Sequence, residues 1–402
     1  MHFKEKEKQK IPQALANLAQ AAGLNLQILH NARRAGDDGQ IETLIAQAND
    51  RLAHEMKNNW SQSRIVIRLR CDGWRLIVLV SGDGGPYLAL AERSDGLRQF
   101  VALMAFLARE PNLTIPPVLL IDEVEQRLHY DAQADLVQML ARQDASPTVI
   151  YSTHSLGCLP EDLGSGVKMV TPIGHFSSID NAFWASNTPG FSPLLFGMGA
   201  LTLAFIPIRY ALVVEGPSDM LLLPALVREV TQRESTGYQV VPGLSIAGPD
   251  QVSLLEHQAP RVLFLVDNDE GGARIRKKLV NSGVEDKRIH SLTETEELSV
   301  IEDLVDPELY RRAVYNLLQR HNAQCPTIPD QVLRPPNVPA QLEQWCKEAH
   351  LQAPSKVAVA YQLLEYKAEN ASLLHATYAR RAIEDIDTRI SDMFKVAGRQ
   401  AV

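Results

Sequence analysis

The chain has 402 residues, 45% hydrophobic and 22% charged, a globular composition with apolar material for two cores and a length that predicts two or three domains. Its net charge of −8 makes no global case for nucleic-acid binding, so any such surface must be local. Cys71, Cys158, Cys325 and Cys346 are scattered without a Cys-x-x-Cys pair, which excludes a zinc ribbon or disulfide framework and points to a reducing compartment. The charged N-terminus has no apolar signal core. Phe100 to Ala108 is too short to span a bilayer, and Met198 to Val214 carries Pro207 and Arg209. A cytoplasmic protein without membrane contact is expected.

In chain order, residues 11–60 have apolar positions at helical spacing and no proline after Pro12. Ile65 to Leu69 and Leu76 to Val80 read as strands around an Asp72-Gly73 turn, and a helix follows from about Gly96 to Arg109, stopped by Pro116-Pro117. Val118 to Ile121 and Thr148 to Ser152 are short apolar runs separated by a helix, the pattern of a βαβ unit with strands buried in a parallel sheet. Gly157 to Pro207 reads as a connecting region. A second series begins with strands at Tyr210 to Val214, Tyr238 to Val241 and Val262 to Val266, with helices at Met220 to Arg233 and Gly272 to Asn281. From Asp306 onward the pattern is helical, interrupted between Cys325 and Pro339.

The first apolar run ends in Asp122-Glu123, at the sheet edge where nucleotides bind; Asp122 would hold Mg²⁺ and Glu123 would polarise water. A solvated strand end accounts for the pair as well. Three neighbours favour the nucleotide reading. Glu125, Leu128 and His129 extend the run, His154 follows the next strand, and Ser94-Asp95-Gly96 opens a helix whose N–H groups suit a phosphate. These motifs resemble the signature loop, Walker B and switch histidine of SMC-like ABC ATPases over roughly residues 60–170. The resemblance implies nucleotide-binding roles for Ser94, Asp95, Gly96 and His154 and head-to-tail sandwiching of ATP. Against the pattern, the sequence has no Gly-x-x-x-x-Gly-Lys-[Ser/Thr] and no Gly-Lys dipeptide. Either the leading lobe lies on another polypeptide, or the reading frame is truncated, or the ATPase is degenerate.

In the second series, Leu212 to Val214 ends in Glu215-Gly216-Pro217-Ser218-Asp219, and Val262 to Val266 ends in Asp267-Asn268-Asp269. Residues i and i+2 at a strand end point to one side, so both aspartates can reach one hard cation. This pairing resembles the TOPRIM domain. The order ATPase then TOPRIM resembles the OLD (overcoming lysogenisation defect) ATP-dependent endonucleases, over about residues 205–370. The resemblance implies that Glu215, Asp219, Asp267, Asp269 and Glu302 bind two Mg²⁺ or Mn²⁺ ions, with Glu215 and Lys356 catalytic. Glu302 also sits within an acidic run with Glu294, Glu296, Glu297 and Asp303, where a solvated face explains it equally. Arg274, Arg276, Lys277 and Lys278 cluster behind the Asp-x-Asp and would track DNA, although a solvated basic helix face does as well.

The expected fold class is α/β: a partial ABC-type ATPase lobe, then a Rossmann-like TOPRIM sheet with a helical C-terminal region. The expected segments are a helical end of an ATPase insertion (1–60), the ATPase lobe (61–175), a linker (176–206), the TOPRIM core (207–305) and a helical part (306–402). The expected function is a metal-dependent DNA endonuclease or nickase, ATP-regulated through ATP-Mg²⁺ at a composite site and acting in antiviral defence. Expected partners are DNA, further copies of the chain through ATPase or TOPRIM-associated surfaces, and a second polypeptide supplying the phosphate-loop lobe. Two alternatives stand beside it: a topoisomerase- or primase-like TOPRIM enzyme, and a non-catalytic DNA-binding or assembly subunit with a degenerate ATPase.

Overall fold

Local capping chemistry divides the N-terminal helical pattern into three helices, α1 (Gln13–Ala21), α2 (Leu26–Ala35) and α3 (Asp38–Asn59). The Asn25 carboxamide accepts the Gln27 and Ile28 N–H groups at 2.9 and 3.1 Å and starts α2. Gly36, at φ 71°, ends α2 in the left-handed region, and Asp37 caps α3 by accepting from Gln40 N–H at 2.9 Å. The computed structural model describes residues 11–108, 118–181, 210–244, 262–293, 298–321, 325–375 and 378–400. Pro116-Pro117, most of the expected linker, and Glu294, Glu296 and Glu297 lie outside them. The chain divides into two units, Met1–Cys158 and Leu159–Val402.

In the first unit, β1 (Ile65–Asp72), β2 (Arg75–Gly82) and β3 (Leu88–Ala89) form an antiparallel sheet in that order. Its inner face contributes Ile67, Leu69, Leu76 and Val80 to a core shared with Leu52 and Met56 of α3. Phe100 and Met104 of α4 (Asp95–Leu107) complete that core. β4 (Val118–Ile121) and β5 (Thr148–Tyr151) pair in parallel, flanking α5 (Tyr130–Arg142) in sequence. The apolar runs predict two buried faces here, but the structure buries one. Leu119, Ile121, Val149 and Tyr151 turn toward the core, while Val118, Leu120 and Ile150 remain 43, 71 and 57% exposed.

The second unit opens with an antiparallel hairpin, β6 (Met169–Ile173) and β7 (Phe176–Asp180), inside the stretch that reads as a connection. Its main sheet is β8 (Ala211–Val214), β9 (Gln239–Pro242), β10 (Val262–Val266) and β11 (Ile289–Ser291), in the order β11-β10-β8-β9 with every pair parallel. β8, β9 and β10 are buried at every position, as continuous apolar runs require of a doubly covered sheet. Helix α6 (Pro217–Thr231) follows β8 and is itself mostly buried, whereas α7 (Glu270–Asn281) is amphipathic. Four helices close the unit: α8 (Pro307–His321), α9 (Val338–Glu348), α10 (Lys356–Ala368) and α11 (Ala379–Gln400). Tyr310, Leu363, Ile383 and Ile390 carry the sheet's core into them. Among the described residues, no helix is long and apolar enough to cross a membrane.

Candidate functional site

Asp122 and Glu123 lie at the C-terminal end of β4, and the following strand clamps them. Ser152, just past β5, donates its hydroxyl to Asp122 and accepts the Glu123 N–H at 2.8 Å. Glu123 is held at φ 46°, unusual for a non-glycine residue, and its side chain is exposed. His154 donates its backbone N–H to Glu125 at 2.7 Å. Burial pushes the Glu125 carboxyl up, but hydrogen bonds from His154 and Thr153 outweigh it and hold the group below its ordinary range.

Ser94 caps α4 by accepting from Leu97 N–H at 3.4 Å. Asp95 pairs with Arg98 and with Arg127 from the turn after β4, and those two guanidiniums hold its carboxyl below the usual range. Gly96 explains how close the approach is: a Cβ there would lie 2.2 Å from the Arg127 carbonyl oxygen. The structure therefore brings Ser94, Asp95 and Gly96 beside the turn that follows Asp122 and Glu123. Sequence reading gave no role to Arg127 or Ser152, which do the joining.

In the second unit, Glu215 follows β8 and accepts the Asp267 N–H at 2.9 Å. Asp219 accepts from Gly216 N–H at 2.8 Å, closing the first turn of α6. Asp269 caps α7 through Gly272 N–H at 2.9 Å, and a Cβ on Gly272 would meet the Asp267 carbonyl oxygen at 2.0 Å. Glu302 is buried, with the Ser218 hydroxyl beside it. Lys356 opens α10 behind the Ser355 cap and lines a cleft of about 420 Å³ with Tyr310, Asn337 and Glu343. Asp303 has a role that its sequence context does not disclose. It accepts from Ser299, Val300, Asn337 and Val338 N–H groups at 2.9–3.2 Å and so pins the start of α9 to the Glu302 turn.

The electrostatics follow from burial. Asp219 is raised to about 7 by burial and then by Glu302. Asp267 is raised to about 10 by burial, with Asp219, Glu215 and Glu302 adding to it. Glu215 and Glu302 are also raised, first by burial. Desolvation works against the Lys356 ammonium, but Glu302, Asp267, Asp219 and Asp269 outweigh it and raise it. Lys356 keeps substantial exposed surface, so its cationic end is placed at the cleft rather than sealed in. At neutral pH the cluster retains protons around one ammonium.

The acids thus converge, but not as a metal cage. Among the described residues, no group of three or more His, Cys, Asp or Glu side chains could hold a metal ion. This overturns the expected two-ion Mg²⁺ or Mn²⁺ site and, with it, the TOPRIM endonuclease or nickase activity. The physical reason lies in the same contacts. Glu215 and Asp219 satisfy backbone N–H groups, and Asp269 caps a helix.

The expected DNA-contacting residues all lie on α7. Arg276 is engaged with Asp286 at 2.8 and 3.1 Å and with the Ile289 carbonyl, Arg274 folds back onto the Glu270 carbonyl, and Lys277 is exposed beside Lys278.

Residues 5–159 match the family model described as "AAA domain, putative AbiEii toxin, Type IV TA system". A solved structure described as "Structural biochemistry of ATP-driven dimerization and DNA stimulated activation of SMC ATPases" is 12% identical to this chain. It aligns over 33% of this chain and 81% of its own, with a TM-score of 0.28. None of the curated proteins compared with the chain matches it, and no match specific to TOPRIM or OLD-family proteins was found. The N-terminal part of the chain is an AAA-type ATPase domain.

Proposed function

We propose that the chain is a non-catalytic assembly subunit whose ATPase domain is degenerate when it stands alone and seats a further lobe bearing a phosphate-binding loop. The single observation that carries this is the open face of β4 and β5. These strands have sequences suited to burial on both sides, yet Leu120 and Ile150, two residues before Asp122 and Ser152, are 71 and 57% exposed. A phosphate loop would sit at that same strand end, and the sequence holds no such loop. Asp122, Glu123 and His154 then face the nucleotide that the other lobe holds. Ser94, Asp95 and Gly96 belong to the same nucleotide-responsive surface.

The test is steady-state phosphate release by the purified chain, with Glu123→Gln as the contamination control, beside incubation of plasmid DNA with Mg²⁺ or Mn²⁺. Neither phosphate release nor DNA cutting above background is expected. Robust ATP turnover that disappears in Glu123→Gln would end the degenerate-ATPase reading, and metal-dependent nicking would end the non-catalytic one.

A further inference from the structure

The antiparallel sheet of the first unit has two unlike faces. Pairing of β1 with β2 places Ile67, Leu69, Leu76 and Val80 on the buried side, at 0 to 3% exposure. The alternation of strand side chains puts Arg68 and Arg70 on the other side, with Arg64 in the same phase just before β1. Register places Arg75 opposite Asp72 on that face. All four arginines are exposed.

We propose that this outward sheet face binds the phosphate backbone of a nucleic-acid duplex. Charge complementarity is the first argument. From residue 64 to residue 83, the four arginines stand against Asp72 and Asp83 alone, in a chain whose overall charge is −8. Arg70 and Asp72 are 3.8 Å apart with side chains 63 and 58% exposed, a loose surface contact that a phosphate oxygen can displace. Geometry is the second. Arg68 and Arg70, two residues apart on one strand face, stand about 7 Å apart, comparable to the distance between successive phosphates of one strand. Tyr87 adds an exposed aromatic ring beneath the Arg68 guanidinium, 5.3 Å from its centroid, which fixes that arginine's direction without neutralising it. The third argument is the contrast with α7, where Arg276 is already committed to Asp286 and the Ile289 carbonyl. The inference concerns a surface separate from β4 and β5 and does not rest on the assembly reading.

The experiment is fluorescence anisotropy of the full chain with labelled random-sequence duplex DNA, duplex RNA and an acidic peptide, across 50 to 200 mM salt. Binding to either duplex is expected, with the two duplexes distinguishing DNA from RNA as the source of the phosphates. The double variant Arg68→Ala, Arg70→Ala should weaken binding at least tenfold. Its salt dependence should flatten by about two, at about 0.9 per lost phosphate contact. Both side chains face solvent, and circular dichroism checks that the variant folds. Lys347→Ala, at an exposed position on α9, should bind as the parent chain does. Three results each overturn the inference: no binding to either duplex at 50 mM salt, binding to the acidic peptide alone, or undiminished binding by the folded sheet variant.

Discussion

β4 and β8 are written in nearly the same language. Each is a four-residue apolar run, Val118–Ile121 or Ala211–Val214, ending in acidic residues before a helix-bearing segment. β8 is buried at all four positions within a four-stranded parallel sheet, whereas β4 alternates and leaves Leu120 71% exposed in a sheet of two strands. The acids then meet opposite fates. Asp122 and Glu123 stay in water at an open edge, while Asp219, Asp267 and Glu302 are drawn into a covered sheet, where burial raises their carboxyls. A strand-end carboxylate therefore takes its chemistry from the layers that cover its strand. Sequence reports the carboxylate and not the cover.

The largest effect that sharpens this contrast is Leu212→Ala in β8. Leu212 is fully buried in the main core, so the truncation should cost about 2–5 kcal/mol through lost contacts and a residual cavity. Urea unfolding followed by circular dichroism reads it, and a loss below about 1 kcal/mol would mean that the β8 environment is not close-packed. Next come two glycines in matching places, Gly96 and Gly272, each in the first turn of a helix against the backbone of a strand-end turn. With Cβ positions at 2.2 and 2.0 Å from carbonyl oxygens, alanine at either should cost about 1–3 kcal/mol by overpacking. A Gly96→Ala variant as stable as the parent would break the proposed tie between the Ser94 loop and the turn after β4.

The carboxyl cluster should mark the stability of the second unit with an unusual pH dependence. For a carboxyl whose pKa is raised on folding, the native state binds more protons than the unfolded state between the two values. Its stabilising contribution is complete below the unfolded pKa and is lost as pH rises through the folded one. For Asp219 that loss runs from 3.8 to about 7, and for Asp267 from 3.8 to about 10. Asp95 and Glu125 in the first unit are lowered, so their contribution is lost as pH falls through the folded value. Asp267→Asn should thus raise stability at pH 9 relative to pH 5 and flatten the profile. Parallel parent and variant profiles in urea melts from pH 5 to 9 would remove Asp267 as the proton-holding group.

Much of this arrangement was legible in advance. The strands from β4 onward, except the β6–β7 hairpin and β11, follow from apolar runs bounded by acids and glycine. The nearness of Glu215 to Asp267 and Asp269 follows from parallel strands sharing one edge, whereas Asp219, Glu302 and Lys356 were tied to them only by the resemblance to the OLD nucleases. What the residues do there was not legible. An aspartate at a strand-to-helix junction is equally suited to capping and to ligation, and Asp269 and Asp219 went to backbone N–H groups. The hairpin of β6 and β7 was hidden because Pro172 and Gly174 read as loop signals, although here Gly174 makes the turn at φ 61°. Asp303 looked like one more acid in a run, since nothing in sequence announces four backbone donors arriving from two segments.

The smallest expected effect is the most informative about β4. Leu120→Ser removes a large apolar side chain, and on apolar content alone it should rival Leu212→Ala. At 71% exposure, however, Leu120 has little buried surface to lose, and serine at a solvated strand position costs only some intrinsic propensity. The stability change in the isolated chain should stay within about 0.5 kcal/mol, the range of surface substitutions away from special features. Ile150→Ser, at the register partner of Leu120 and 57% exposed, should behave the same way, and the double variant should depart from additivity only by the coupling of one exposed cross-strand pair, about 0.2–1 kcal/mol. Urea melts of the two single variants and the double variant decide the matter. A loss of 2 kcal/mol or more from Leu120→Ser would mean that this face is already covered within the molecule. There would then be no open seat for a further lobe, and the contrast between β4 and β8 would collapse.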